Sequence, residues 1–166
     1  KFKSFLSKVD VLQKTNFDIE EIGKPIKINW GKCPLATASF GHGITTTLLQ
    51  LAKAYSIIAN GGYNIQPTLI KERKKFKKER ILNQEVSKKI LPILRKIVTT
   101  KEGTASLANV SGYEIGGKTG TAQKSVSGVY TKKKINSFIS VFPTSKPKFV
   151  LAVMLDEPKT NEDYIY

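Results

Sequence analysis

Gly112-Tyr113-Glu114-Ile115-Gly116-Gly117-Lys118-Thr119-Gly120-Thr121-Ala122-Gln123-Lys124 is the stretch on which the fold of this chain turns. The residues from Tyr113 to Gln123 read as a strand, yet Gly116, Gly117 and Gly120 would weaken it unless something must approach the backbone closely. Lys118 places a fixed ammonium in the middle of the stretch, which favours an anionic substrate. The hydroxyls of Thr119 and Thr121 can hydrogen-bond a carboxylate. Gly120 carries no side chain, so a peptide can lie along the strand edge as an added strand. The backbone N–H of Thr121 can supply half of an oxyanion hole. The same residues fit a phosphate-binding loop formally, from Gly112 to Gly117-Lys118-Thr119. Such a loop must end a buried strand and open a helix. Val110-Ser111 is a poor strand and Thr119-Gly120-Thr121 a poor helix start, so that reading is disfavoured. An ordinary turn or strand end is the plain alternative.

Downstream the chain is β in character. Ile135 to Phe142 is apolar on both faces, and Phe149 to Leu155 is a continuous apolar run, which predicts a buried central strand. The short loop Pro143 to Lys148 should pair the two as an antiparallel hairpin.

Upstream the pattern is helical. Phe2, Phe5, Leu6 and Val9 fall at helical spacing. Gly23, Pro25, Trp30, Gly31 and Pro34 then predict an irregular connector. A helix from about Thr47 to Ala59 carries the apolar stripe Leu48, Leu51, Ala52, Tyr55, Ile58 and Ala59. Thr47 and Gln50 have capping-box spacing, and Asn60-Gly61-Gly62 suits a left-handed end. The glycines of Ser39-Phe40-Gly41-His42-Gly43 suit a tight turn before that helix. Residues 68 to 82 read as a small hairpin tipped by the basic run Lys71 to Arg80. A second helix spans about Gln84 to Thr100, with Val86, Ile90, Ile93 and Ile97 on one face. A proline inside a helix costs about 3 kcal/mol, so Pro92 predicts a kink or a break. Gly103-Thr104-Ala105 starts another short element. Helices first and strands last predict an α+β fold, an antiparallel sheet flanked by helices.

Composition sets the outer limits. The 166 residues suffice for one packed domain, and 40% are apolar. Lys and Arg number 28 against 13 Asp and Glu, a formal charge of +15. Such a balance can mark a nucleic-acid or anionic-membrane partner. The one dense basic run holds a single aromatic, Phe76, which is not the basic–aromatic groove of a single-strand binder. A lysine-rich solvated surface is the simpler account. Cys33 and His42 are each the sole residue of their kind, so neither an internal disulfide nor a zinc site is expected. Cys33 reads as a bystander thiol, Trp30 and Tyr55 as core, and His42 as a turn or packing residue. No apolar run is long enough to span a bilayer. The chain starts at Lys1 without a signal peptide, and both ends look cut.

Taken together, these segments resemble the transpeptidase domain of class B penicillin-binding proteins. Ser39-Phe40-Gly41-His42-Gly43, Thr47-Leu48-Leu49-Gln50-Leu51-Ala52 and Ala59-Asn60-Gly61-Gly62 match the family's stretch between its second and third motifs. Gly103-Thr104-Ala105 and Gly117-Lys118-Thr119-Gly120-Thr121-Ala122-Gln123-Lys124 follow, the Lys-Thr-Gly being the third motif. Asn136-Ser137-Phe138, Phe142-Pro143 and Asp156-Glu157-Pro158 complete the series. The matches run in order from about residue 1 to 158. The Ser-Phe-Gly-x-Gly and Asp-Glu-Pro forms look most like the septal, cell-division branch, with the elongation branch open.

The resemblance implies a β-lactamase/transpeptidase-like fold, incomplete here, with residues 1–166 forming the C-terminal portion of the domain. It implies a serine D,D-transpeptidase that cross-links peptidoglycan stem peptides and is acylated by β-lactam antibiotics. Lys118, Thr119, Gly120 and Thr121 would bind substrate, with the Thr121 N–H in the oxyanion hole. The family's nucleophile stands in Ser-x-x-Lys and its second motif is Ser-x-Asn. Ser145-Lys146-Pro147-Lys148 fits the first only after the Lys-Thr-Gly strand, in an expected loop, and reads as coincidence; no Ser-x-Asn occurs. The nucleophile and the family's final helix are therefore expected outside the chain, which alone should be inactive. No metal or cofactor is implied, and no nucleic acid. The family implies an inner-membrane anchor, a periplasmic domain and membrane partners of the division complex. A basic nucleic-acid or membrane-surface module, and a β-lactamase or β-lactam sensor on the same fold, remain the alternatives.

Overall fold

A computed structural model describes residues 1–20, 22–26, 29–71, 79–126 and 129–159. The chain forms two compact units, Lys1–Ile90 and Leu91–Tyr166. Among the described residues the helices are α1 (Phe2–Lys8), α2 (Lys32–Ala38), α3 (Leu48–Ala59) and α4 (Gln84–Thr99). A short 3-10 turn, Ser106–Ala108, precedes β1 (Gly116–Val126), β2 (Val129–Phe142) and β3 (Phe149–Asp156).

In the first unit Val9, Val11, Ile57 and Leu82 are buried together. The helix α3 begins where Thr47 accepts from the Gln50 N–H at 3.2 Å and the Thr47 N–H donates to Gln50 Oε1 at 2.8 Å. This capping box satisfies two N–H groups that the first turn leaves without helical partners. The helix ends at Asn60, followed by Gly61 and Gly62 at φ +86° and +93°. The buried face of α3 differs from the expected stripe. Gln50, Lys53 and Ile57 are buried, whereas the apolar stripe is only half-buried. Periodicity missed this face because two of its members are polar and become buried by finding partners. Gln50 Nε2 donates to the carbonyls of Gln13 at 2.6 Å and Asp10 at 3.3 Å, and Lys53 Nζ reaches Asp10 Oδ2 at 2.7 Å.

Two further expectations change. The connector before residue 34 was expected to stay irregular, yet Gly31 caps α2 and Pro34 lies in its first turn. Proline is tolerated there because the first N–H groups of a helix have no helical acceptor. The helix α4 is continuous through Pro92, with no break. Pro92 is on the exposed side, where water can serve the carbonyl that the ring leaves without a donor. Its buried positions are Ser87, Leu94 and Val98, while Ile93 is 56% exposed. The expected face lay beside the true one because apolar residues cover adjacent stripes of this helix. The tip of the expected 68–82 hairpin lies outside the described residues. The described pairing joins Tyr63 to Arg80, upstream of the expected start.

In the second unit the sheet order is β1-β2-β3, antiparallel throughout. The β2–β3 hairpin pairs Phe142 with Phe149 and Ile135 with Asp156, as its loop length predicts. The strand β1 starts at Gly116, so Tyr113 to Ile115 lead into it without joining it. Among the described residues β3 pairs on one side only, and Leu151, Val153, Met154 and Leu155 are 41 to 51% exposed. This corrects the buried central strand. An apolar run becomes central only where a strand lies on each side and a layer on each face, and the described residues supply one neighbouring strand.

Candidate functional site

The Lys118–Thr121 stretch lies within β1, opposite Ile139, Phe138, Ser137 and Asn136 of β2. Among the described residues no strand pairs with the other side of β1, so this is a sheet edge. Lys118, Gly120 and Thr121 are exposed and Thr119 is half-buried. An extended strand interior is neither a loop nor a helix start, which rules out the phosphate-loop alternative for Gly112–Thr119.

The glycines are explained by what lies behind them. A Cβ on Gly117 would sit 2.7 Å from the Ile139 carbonyl oxygen and 2.7 Å from two carbons of the Phe138 ring. A Cβ on Gly116 would meet Thr144 Cγ2 at 2.6 Å and the Arg95 nitrogen at 2.9 Å. The close approach inferred for these glycines is therefore partly intramolecular: α4 and Phe138 crowd the start of β1 from within the protein. One on Gly120 would lie 2.8 Å from Ser137 Oγ.

Lys118 Nζ donates to the Thr119 carbonyl at 2.8 Å and lies 3.4 Å from Thr119 Oγ1. Thr119 Oγ1 in turn donates to Thr104 Oγ1 at 2.9 Å. The Gly103-Thr104-Ala105 segment thus meets the Lys-Thr-Gly strand side chain to side chain. Residue type and spacing alone assign Thr104 no role, because its partner lies 15 positions further along the chain. Two hydroxyls and an ammonium on one exposed edge form a site suited to an anion carrying several acceptor oxygens.

Beyond the site the β1–β2 register shifts between Gln123, which pairs with Lys134, and Ser125, which pairs with Tyr130, so that Lys124 of β1 faces the surplus residues 131–133 of β2. There Lys124 Nζ reaches Asp156 Oδ1 at 2.9 Å and Glu157 Oε1 at 2.8 Å, and Lys133 reaches Glu157 Oε2 at 2.9 Å. These ion pairs form a brace that ties all three strands where the β1–β2 pairing is interrupted. The hydrogen bonds and charges of Lys124 and Lys133 hold the Glu157 carboxyl below its ordinary range.

Ser145 lies in the β2–β3 loop. Its hydroxyl and its N–H both donate to the Glu114 carboxylate, which lowers the Glu114 pKa. The serine of Ser145-Lys146-Pro147-Lys148 therefore ties a loop. His42 sits in the Ser39–Gly43 turn, its N–H on the Thr37 carbonyl at 3.0 Å and its ring 5.9 Å from that of Phe40. Cys33 is exposed on α2, and Trp30 is half-buried with Lys3 Nζ 5.6 Å from its ring centre. No group of three metal-ligating side chains occurs among the described residues.

Residues 1–165 match the family described as the penicillin binding protein transpeptidase domain. The chain is 36% identical over 136 residues to a probable peptidoglycan D,D-transpeptidase PenA of Neisseria flavescens, covering 81% of this chain and 34% of that protein. The transpeptidase domain of Burkholderia pseudomallei penicillin-binding protein 3 superposes with a TM-score of 0.85 at 30% identity, over 94% of this chain and 49% of that one. Penicillin-binding protein 3 of Mycobacterium tuberculosis, solved with aztreonam, superposes at 0.86 and 26% identity, over 95% of this chain and 40% of that one. The chain spans between 24 and 34% of the length of the first curated relatives it matches.

Proposed function

This chain belongs to the penicillin-binding protein transpeptidase family, and on that premise we propose that it forms the substrate-binding edge of a serine D,D-transpeptidase that cross-links peptidoglycan stem peptides. The observation that carries this reading is the placement of Lys118, Thr119, Gly120 and Thr121 along β1, a strand that among the described residues pairs on one side only. An extended peptide can add to that edge through main-chain hydrogen bonds. Its terminal carboxylate then meets the Lys118 ammonium and the hydroxyls of Thr119 and Thr121. Gly120 keeps the edge clear for the peptide backbone.

In this reading the nucleophile is a serine contributed by polypeptide outside residues 1–166. It attacks the peptide carbonyl, the leaving amine departs, and an ester links serine to peptide until a second stem peptide's amine takes the acyl group. The oxyanion of each tetrahedral intermediate is held by the Thr121 N–H. β-Lactams enter as mimics, presenting a strained amide and a carboxylate to the same edge. Residues 1–166 form one part of the domain, with its serine-bearing part elsewhere. An inner-membrane anchor, a periplasmic position and division-complex partners belong to the same proposal, the septal branch being favoured by Ser39–Gly43 and Asp156-Glu157-Pro158.

The test is acylation of the full-length protein by a fluorescent penicillin. Lys118→Ala removes a charge-assisted contact of about 1.5–3 kcal/mol, so acylation should fall roughly 10- to 100-fold with the fold intact. An unchanged rate refutes the role of Lys118.

A further inference from the structure

We propose that Thr104 is a positioning residue for the anion-binding edge, holding the Thr119 hydroxyl and setting the direction of its proton. The inference rests on the reading that β1 receives a substrate carboxylate. Its geometric basis is the 2.9 Å hydrogen bond between the two hydroxyls, with Lys118 Nζ 3.4 Å from the same Thr119 oxygen.

Thr104 is held from both sides in sequence. A Cβ on Gly103 would lie 2.0 Å from the Ile97 carbonyl oxygen, so the backbone there is pressed against the last turn of α4. The Gly103 N–H donates to the Thr100 carbonyl at 3.0 Å, and the Gly103 carbonyl accepts from the Ser106 N–H at 3.2 Å. Ala105 is 5% exposed. The short turn after α4 therefore fixes Thr104 beside β1.

Each hydroxyl has one proton to give. In the present arrangement Thr119 gives its proton to Thr104 and turns its lone pairs toward the Lys118 ammonium. An arriving carboxylate needs the Thr119 proton. Thr104 can then reverse roles and donate to Thr119, producing a chain from Thr104 to Thr119 to the carboxylate. Donation into Thr119 polarises its own O–H, so the bond to the anion strengthens. Without the Thr104 hydroxyl, Thr119 keeps its side chain but loses both its fixed rotamer and that polarisation.

The experiment uses the full-length protein and two ligands, benzylpenicillin and its neutral methyl ester. Thr104→Val should lower acylation efficiency by benzylpenicillin about fivefold, the scale of one ordinary hydrogen bond. The loss should appear in the half-saturating concentration and leave the limiting rate near that of the unaltered protein. The ester should lose much less, and Thr104→Ser, which keeps the hydroxyl, should move the ligand ratio back toward the unaltered value. Equal losses for acid and ester would show a purely structural role and overturn the inference, as would no loss for either. If the unaltered protein is not acylated at all, the transpeptidase reading falls and this inference with it.

Discussion

Gly117→Ala is the substitution that tests most directly how β1 is held. The added Cβ would stand 2.7 Å from the Ile139 carbonyl oxygen and from Cε2 and Cζ of Phe138. Ordinary contact begins at 3.4 Å, so the methyl is about 0.7 Å too close on two sides. The Phe138 ring can turn away, but the Ile139 carbonyl belongs to the backbone of β2, which β3 pairs on its other side. The relief must therefore come from β1 lifting off β2 next to Lys118. Overpacking of this kind costs about 1–3 kcal/mol. The displacement approaches the ångström scale at which misplaced groups can lose roughly 10²-fold in rate. In the full-length protein, on the proposed transpeptidase function, the expected result is a lowered denaturation midpoint together with a larger proportional loss of penicillin acylation. Normal stability and normal acylation in Gly117→Ala would refute the claim that Phe138 and Ile139 position the site strand.

Two further outcomes follow from other parts of the molecule. Lys53→Met leaves the buried Asp10 carboxylate without its 2.7 Å partner and should destabilise the protein by about 3–5 kcal/mol, while Lys53→Met with Asp10→Asn should recover most of that in denaturant titration. The Glu114 carboxyl is held below its ordinary value of 4.5 chiefly by the Ser145 hydroxyl and then by the Ser145 N–H. Its pKa is depressed on folding, so the loop contact is fully present above about pH 4.5 and is lost as pH falls through the folded value. Carboxyl NMR titration should place Glu114 below 4.5, and Ser145→Ala should raise it.

The elements were legible to the extent that local chemistry defines them. Thr47 and Gln50 announced the start of α3, Asn60-Gly61-Gly62 its end, and the short loop from Pro143 the β2–β3 hairpin. What could not be seen was which face each element buries. Gln50 and Lys53 lie inside because Asp10 and the Gln13 carbonyl, far off in sequence, supply partners for them. The apolar stripes of α4 competed on equal terms until Gly116 packed against its Leu94–Arg95 backbone. Pro34 read as a breaker because its position relative to a helix start was unknown.

By itself the sequence determined that a lysine flanked by threonines and glycines would sit on an extended segment near the strand cluster, since residue type and spacing act locally. The open edge beside Gly120 was anticipated from the glycine and is present among the described residues; tertiary structure alone decided that Phe138 and the Ile139 carbonyl demand glycine at 117, and that Thr104 meets Thr119. Those outcomes depend on contacts between residues distant along the chain, and a contact of that kind leaves no period or spacing in the sequence from which it could be inferred.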